Sequence, residues 1–138
     1  MLKKVIDTNI FIDRLADQSR FEDLFLTSGQ VYMSSVVLME LRAGCHSVQA
    51  LKFYHELSTF FRKVNRVITP TTKDYEVSGE ILAKLQRVKG YEIRKMASIT
   101  NDCLIAASAR AFGATVYTQN RPDFVAIKDV FNFELFLA

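Results

Sequence analysis

The chain has 138 residues, 49% hydrophobic and 24% charged, with only five glycines and two prolines; such a length accommodates one core, and such a composition excludes a disordered or collagenous chain. No apolar run approaches the roughly 18 residues of a membrane span, and Asp7, Asn9 and Asp13 interrupt what would be the apolar core of a secretory signal behind Lys3 and Lys4. A formal charge of +3 is a mild bias toward an anionic partner.

Val5-Ile6 reads as a short buried strand, followed by a first helix from Asn9 to Ala16. Ser19 and Glu22 have the spacing of a capping box for a second helix running to about Thr27. Gln30 to Met33 is a second strand, and Ser34 or Ser35 caps a helix through Ala43. An amphipathic helix is expected over Val48–Arg62, with Leu51, Tyr54, His55, Ser58 and Phe61 on one stripe. Val67-Ile68 makes a third strand ended by Pro70, and Thr71 or Thr72 caps a helix with Val77, Ile81, Leu82 and Leu85 on its apolar side. Thr100 is read as the cap of a helix over Asn101–Phe112, Thr115–Thr118 as strand four, and Val130–Leu137 as room for a fifth strand. Gly29, Gly44, Gly90 and Gly113 each follow a helical segment, where a left-handed terminus is wanted. Met33 and Met39 read as core filling, and Phe53, Phe60 and Phe61 as core or dimer contacts. Short strands alternating with helices predict an α/β fold, a single domain with a mostly parallel central sheet flanked by helices.

Two cysteines, Cys45 and Cys103, are too few for a disulfide framework. His46 beside Cys45 and the solitary His55 lack zinc spacing. A reduced, cytoplasmic protein is the default expectation.

Four acids carry the chemistry. Ligands of open α/β sheets bind beyond the carboxyl ends of the strands. Asp7 follows Val5-Ile6 directly, and Asp123 lies just past strand four. Asp102 is expected in the first turn of its helix, where the dipole favours negative charge. Glu40 falls within about two turns of the start of the helix after strand two. Each also has a bland reading: Asp102 as ordinary helix-start chemistry, Asp123 as part of an Asn120-Arg121-Pro122-Asp123 turn, Glu40 as a partner of Arg42 or Lys52. A carboxylate inside Val36-Val37-Leu38-Met39-Glu40-Leu41 is nonetheless expected to be paired. Two carboxylates about 4 Å apart repel by roughly 4 kcal/mol at an effective dielectric of 20, so a cluster needs protons, a cationic side chain or a bound cation. All-oxygen ligands suit Mg²⁺ or Mn²⁺, which polarise phosphoryl oxygens and activate water for in-line hydrolysis.

The opening Val5-Ile6-Asp7-Thr8-Asn9-Ile10-Phe11-Ile12-Asp13 resembles the start of PIN-domain proteins. So do Met39-Glu40-Leu41-Arg42-Ala43-Gly44, Asn101-Asp102-Cys103-Leu104-Ile105-Ala106-Ala107 and Thr118-Gln119-Asn120-Arg121-Pro122-Asp123-Phe124, in the family's order and over nearly the whole chain. In length the chain resembles the stand-alone VapC-type toxins of prokaryotic toxin–antitoxin pairs. The resemblance implies a Rossmann-like PIN fold and Mg²⁺- or Mn²⁺-dependent endoribonuclease activity, with Asp7, Glu40, Asp102 and Asp123 as catalytic, metal-binding acids. Thr8, Asn9, Thr118 and Asn120 would support the site. A homodimer and a small antitoxin partner whose tail enters the catalytic groove are implied as well. The segment Val130–Ala138 matches no pattern of the family, and Ser35 and Arg121 are further candidates for the groove.

Lys84, Arg87, Lys89, Arg94 and Lys95 form a basic stretch opposed only by Glu92, able to hold RNA phosphates or simply to complement a helix C-terminus. Tyr91 among them could stack on a base. Two other functions compete. A phosphatase or phospho-accepting receiver also places Asp at a strand end, but Asp7-Thr8-Asn9 lacks a second acid two residues on, and no Lys follows strand four. A catalytically silent RNA- or protein-binding module is the non-enzymatic alternative.

Overall fold

A computed structural model describes residues 2–20, 24–25 and 29–138. Strands β1 (Lys3–Ile6), β2 (Gln30–Ser34), β3 (Val67–Ile68), β4 (Thr115–Thr118) and β5 (Leu135–Leu137) form one sheet in the order β3-β2-β1-β4-β5. Every pairing is parallel. Around it lie α1 (Thr8–Ala16), α2 (Ser35–Ala43), α3 (Val48–Lys63), α4 (Thr72–Lys89), α5 (Ala97–Phe112) and α6 (Arg121–Val130), the six α-helices among the described residues. A 3₁₀ turn over Ile93–Lys95 links α4 to α5. Among the described residues no helix is long and apolar enough to cross a membrane. The second helix expected from Ser19 to about Thr27 falls largely on residues outside those described.

Parallel strands need covered faces, and the central ones show it: Val5 and Ile6 of β1, Met33 of β2 and Val116 of β4 are buried. Ile10, Phe11, Ile99, Ile105, Phe124, Ile127 and Phe133 fill the same core. The chain first builds outward from β1 to β2 and β3. It then returns through α4 and α5 to lay β4 on the other side of β1, with β5 beyond. The order therefore reverses between β1 and β4, the kind of switch point where open α/β sheets bind ligands.

Helix starts follow local chemistry where a cap is present. Ser34, not Ser35, caps α2 through the Val36 N–H, Ser47 caps α3, and Thr71 with Asp74 closes a reciprocal capping box on α4. Gly90 (φ 71°) and Gly113 (φ 75°) end α4 and α5 in the left-handed conformation, whereas Gly44 ends α2 at φ −88°. Several expectations are corrected. Helix α5 begins at Ala97, without a side-chain cap, because fully buried Ile99 docks its first turn on the core. Thr100 thus lies inside α5, and Asp102 is in the second turn. Helix α6 takes the place of the turn that is the bland reading of Asp123, driven by burial of Phe124, Ala126 and Ile127; β5 occupies only Leu135–Leu137 of the segment with room for a strand, and Val130 closes α6. On α3, Leu57 is half-buried and His55 faces out. Met39, expected as core filling, is 54% exposed, whereas Met33 and Phe61 are core residues, Phe53 packs half-buried against the core, and Phe60, expected as a core or dimer contact, lies on the surface.

Candidate active site

Asp7 occupies the residue after β1, and its N–H donates to the Tyr117 carbonyl at 2.9 Å, extending the β1–β4 ladder by one step. It serves also as the N-cap of α1. That double duty fixes its carboxylate: Oδ1 accepts the Thr8 N–H at 2.8 Å, and Oδ2 accepts the Thr118 hydroxyl at 2.7 Å. Thr118 is fully buried at the end of β4, and its oxygen accepts the Asn120 N–H at 2.9 Å. Sequence-distant Asp7 and Asn120 are thereby tied to one hydroxyl.

The other acids reach the same edge from three helices. Glu40, on the last turn but one of α2, accepts the Thr8 hydroxyl at 2.7 Å and the Asn101 amide at 3.4 Å. Neither Arg42 nor Lys52 is its partner, contrary to the bland reading. Asp102, on the second turn of α5 and 4% exposed, accepts the Asn120 amide at 3.1 Å. The same amide reaches Asp123 of α6 at 3.3 Å. Asn9 accepts the Gln119 N–H at 3.4 Å, which ties α1 to the β4–α6 loop. All four predicted acids and all four supporting residues are therefore joined at the carboxyl edge of β1 and β4.

The electrostatics are strained. Burial first, then repulsion from Asp7, Asp123 and Glu40, pushes Asp102 up to about 8. Burial likewise raises Asp7, opposed by its bonds to Thr118 and Thr8. The ion pairs among the described residues, Arg20–Asp13, Lys89–Asp129 and Lys95–Glu92, include none of the four acids. Neutral donors hold them instead. Among the described residues no three His, Cys, Asp or Glu side chains are gathered closely enough to hold one ion. Mg²⁺, which takes one or two carboxylates and keeps several waters, does not need such a cage. The donor set is all oxygen, which fits a hard cation. Cys103 offers no thiolate nearby: burial pushes it up to about 12.

Three contacts escaped sequence reading. Tyr91, half-buried after α4, donates its hydroxyl to Asp123 Oδ1 at 3.3 Å; burial and the charge of Asp123 raise its phenol. Asn101 holds Glu40, and Gln119 donates its side-chain amide to Asp13 at 3.0 Å. Asn101 and Gln119 stand within the motif blocks beside assigned residues, whereas only the fold brings Tyr91 near Asp123. Of the basic stretch, Lys89 pairs with Asp129 and Lys95 with Glu92, both at 2.8 Å. Lys84, Arg87 and Arg94 are exposed.

A family model described as the PIN domain matches residues 4–129. DNA-bound VapBC from Salmonella typhimurium is 27% identical, with a TM-score of 0.71 over 99% of this chain and 98% of that one. VapBC2 from Rickettsia felis, bound to a promoter DNA fragment, is 28% identical, with a TM-score of 0.72 over 99% of both chains. VapBC-5 from Mycobacterium tuberculosis, at 22% identity and a TM-score of 0.68 over the whole of both chains, shares the fold. No curated protein matches the sequence.

Proposed function

The chain belongs to the PIN-domain family, and from that premise we propose that it is a Mg²⁺- or Mn²⁺-dependent endoribonuclease, the toxin of a VapBC-type pair. The observation that carries this reading is the convergence of Asp7, Glu40, Asp102 and Asp123 on one sheet edge with no cationic side chain among the described residues paired to any of them. A carboxyl pushed up to about 8 by burial, and then by its acidic neighbours, favours a proton or a bound cation over a bare negative charge.

When bound, the divalent ion supplies charge to a phosphoryl oxygen and activates water. The chain's own residues hold the acids in place. Thr8 and Thr118 orient Asp7 through both oxygens, and Thr8 also anchors Glu40, so α1 and α2 share one hydroxyl. Asn120 spans Asp102 and Asp123 with one amide. Glu40 and Asp123 are half-buried, which leaves them within reach of an arriving RNA strand. Lys84, Arg87 and Arg94 would meet its phosphates. The VapBC likeness at 27–28% identity supports an antitoxin partner; a homodimer is what the family resemblance implies, and cysteines without a disulfide suit a cytoplasmic site of action.

The test is cleavage of a mixed structured-RNA pool in EDTA, Mg²⁺ or Mn²⁺, beside Asp7→Asn. Cutting that requires the metal and disappears in the variant is the expected result. A folded, partner-free protein that cuts nothing under any condition would make the chain a binding module instead, and turnover of a small phosphomonoester would make it a phosphohydrolase.

A further inference from the structure

Tyr91 lies outside every motif block, yet its hydroxyl meets one of the four acids. Two features aim it there. Gly90 turns the chain back at φ 71°, and the Tyr91 N–H then closes on the Leu85 carbonyl at 3.2 Å, a bond that spans the end of α4. Two residues before Tyr91, Lys89 pairs with Asp129 at 2.8 Å, fastening the end of α4 to the last turn of α6. Asp123 is in the first turn of that same helix. The segment leaving α4 is thus tied to α6 at both ends, by an ion pair at Asp129 and a phenol at Asp123. The two oxygens of Asp123 divide their donors: Oδ1 takes Tyr91 at 3.3 Å, and Oδ2 takes the Asn120 amide at 3.3 Å. Asn120 is shared with Asp102, so Tyr91 provides the one contact in this group that belongs to Asp123 alone.

We propose that Tyr91 is a positioning residue that holds Asp123, by its hydroxyl, in the orientation from which this carboxylate serves a divalent cation. The proposal rests on the nuclease reading above and deepens it. A half-buried carboxylate at the start of a helix can swing into solvent, and a donor on one of its oxygens opposes that swing. Partners of this kind alter metal affinity by about 10- to 100-fold when removed. Stacking of Tyr91 on a base is a different role, because it uses the ring face and not the hydroxyl.

Tyr91→Phe separates the two, since it keeps the ring and removes only the hydroxyl. Mn²⁺ binding to the RNA-free protein is measured by titration calorimetry for the wild type, Tyr91→Phe, Asp123→Asn and the double variant. The expected result is a dissociation constant raised about tenfold in Tyr91→Phe, with no further rise when the change is made in Asp123→Asn. Mn²⁺ affinity within twofold of the wild type, or tighter, overturns the assignment; so does an equal loss in both backgrounds, which would mark a general packing effect. If the wild type binds Mn²⁺ and cuts RNA while Tyr91→Phe is unchanged, only the role of Tyr91 falls. If the wild type does neither, the nuclease reading falls and takes this role with it. Gly90→Ala, strained at φ 71° with open space around it, provides a second variant: displacing the Tyr91 backbone should weaken Mn²⁺ binding in the same direction.

Discussion

Asp102→Asn should stabilise the cation-free protein, and increasingly so as the pH rises. Asp102 is 4% exposed and sits at about 8 in the folded chain, against an ordinary value of 3.8. The folded state therefore binds this proton more tightly than the unfolded chain does. Stability that is fully present below about pH 4 is lost progressively up to about pH 8. At 1.36 kcal/mol per unit, the wild type loses roughly 4 kcal/mol from this carboxyl by pH 7. Asparagine cannot ionise, and its side-chain oxygen can still accept the Asn120 amide that Asp102 now takes at 3.1 Å. Its own buried amide costs about 1–2 kcal/mol, so the net gain at pH 7 is about 2–3 kcal/mol. Urea unfolding in EDTA at about pH 5 and pH 8 measures it: the wild type should lose stability between the two, and the variant much less. Mg²⁺ should reverse the ranking, because an ion at 100 times its dissociation constant adds about 2.7 kcal/mol to the wild type and little to the variant. Parallel pH dependences in EDTA would refute the reasoning, since burial and repulsion would then not be raising the Asp102 carboxyl.

Thr118→Val removes the hydroxyl that Asp7 accepts at 2.7 Å and that receives the Asn120 N–H; a loss of about 1–3 kcal/mol is expected, larger at high pH because the bond lowers the Asp7 carboxyl, and chemical denaturation at two pH values checks it. Gly113→Ala meets nothing within 4 Å but keeps φ +75°, so its cost is backbone strain alone, about 1–2 kcal/mol, read as a lower Tm with RNA cleavage intact. Replacing Lys84, Arg87 and Arg94 together by Ala should weaken RNA binding across sequences and reduce its logarithmic salt slope by about 2. The same change at Lys89 and Lys95, which already pair with Asp129 and Glu92, should move the slope less; titrations at two salt concentrations compare them.

The strands were legible because each is a β-branched or apolar run bounded by punctuation, as with Val5-Ile6 before Asp7 and Val67-Ile68 before Pro70. Helices with a cap or a clear apolar stripe were equally legible, α4 behind Thr71 by the first and α3 by the second, its Ser47 cap being found only in the structure. Helix α5 was misjudged at its start because no side chain caps it. Its first turn exists through the docking of Ile99, a tertiary contact that propensity does not register. The same applies to α6, where Asn120-Arg121-Pro122-Asp123 has the composition of a turn and burial of Phe124 and Ile127 makes it a helix.

By itself the sequence determined the chemistry on offer: four carboxylates, oxygen donors without histidine or thiolate, and the elements that bear them. Sheet order was decided only in three dimensions, because a parallel strand does not specify its neighbour until its crossover packs. The placement of β4 against β1 brings Thr118 to Asp7 across 111 residues of chain and lets Asn120 join Asp102 to Asp123. The partners of those acids were decided there too. Tyr91 reaches Asp123 and Thr8 reaches Glu40 through contacts whose separation in sequence carries no local signal. The raised carboxyl of Asp102 comes last of all, for burial and repulsion are properties of the packed cluster and of no residue within it.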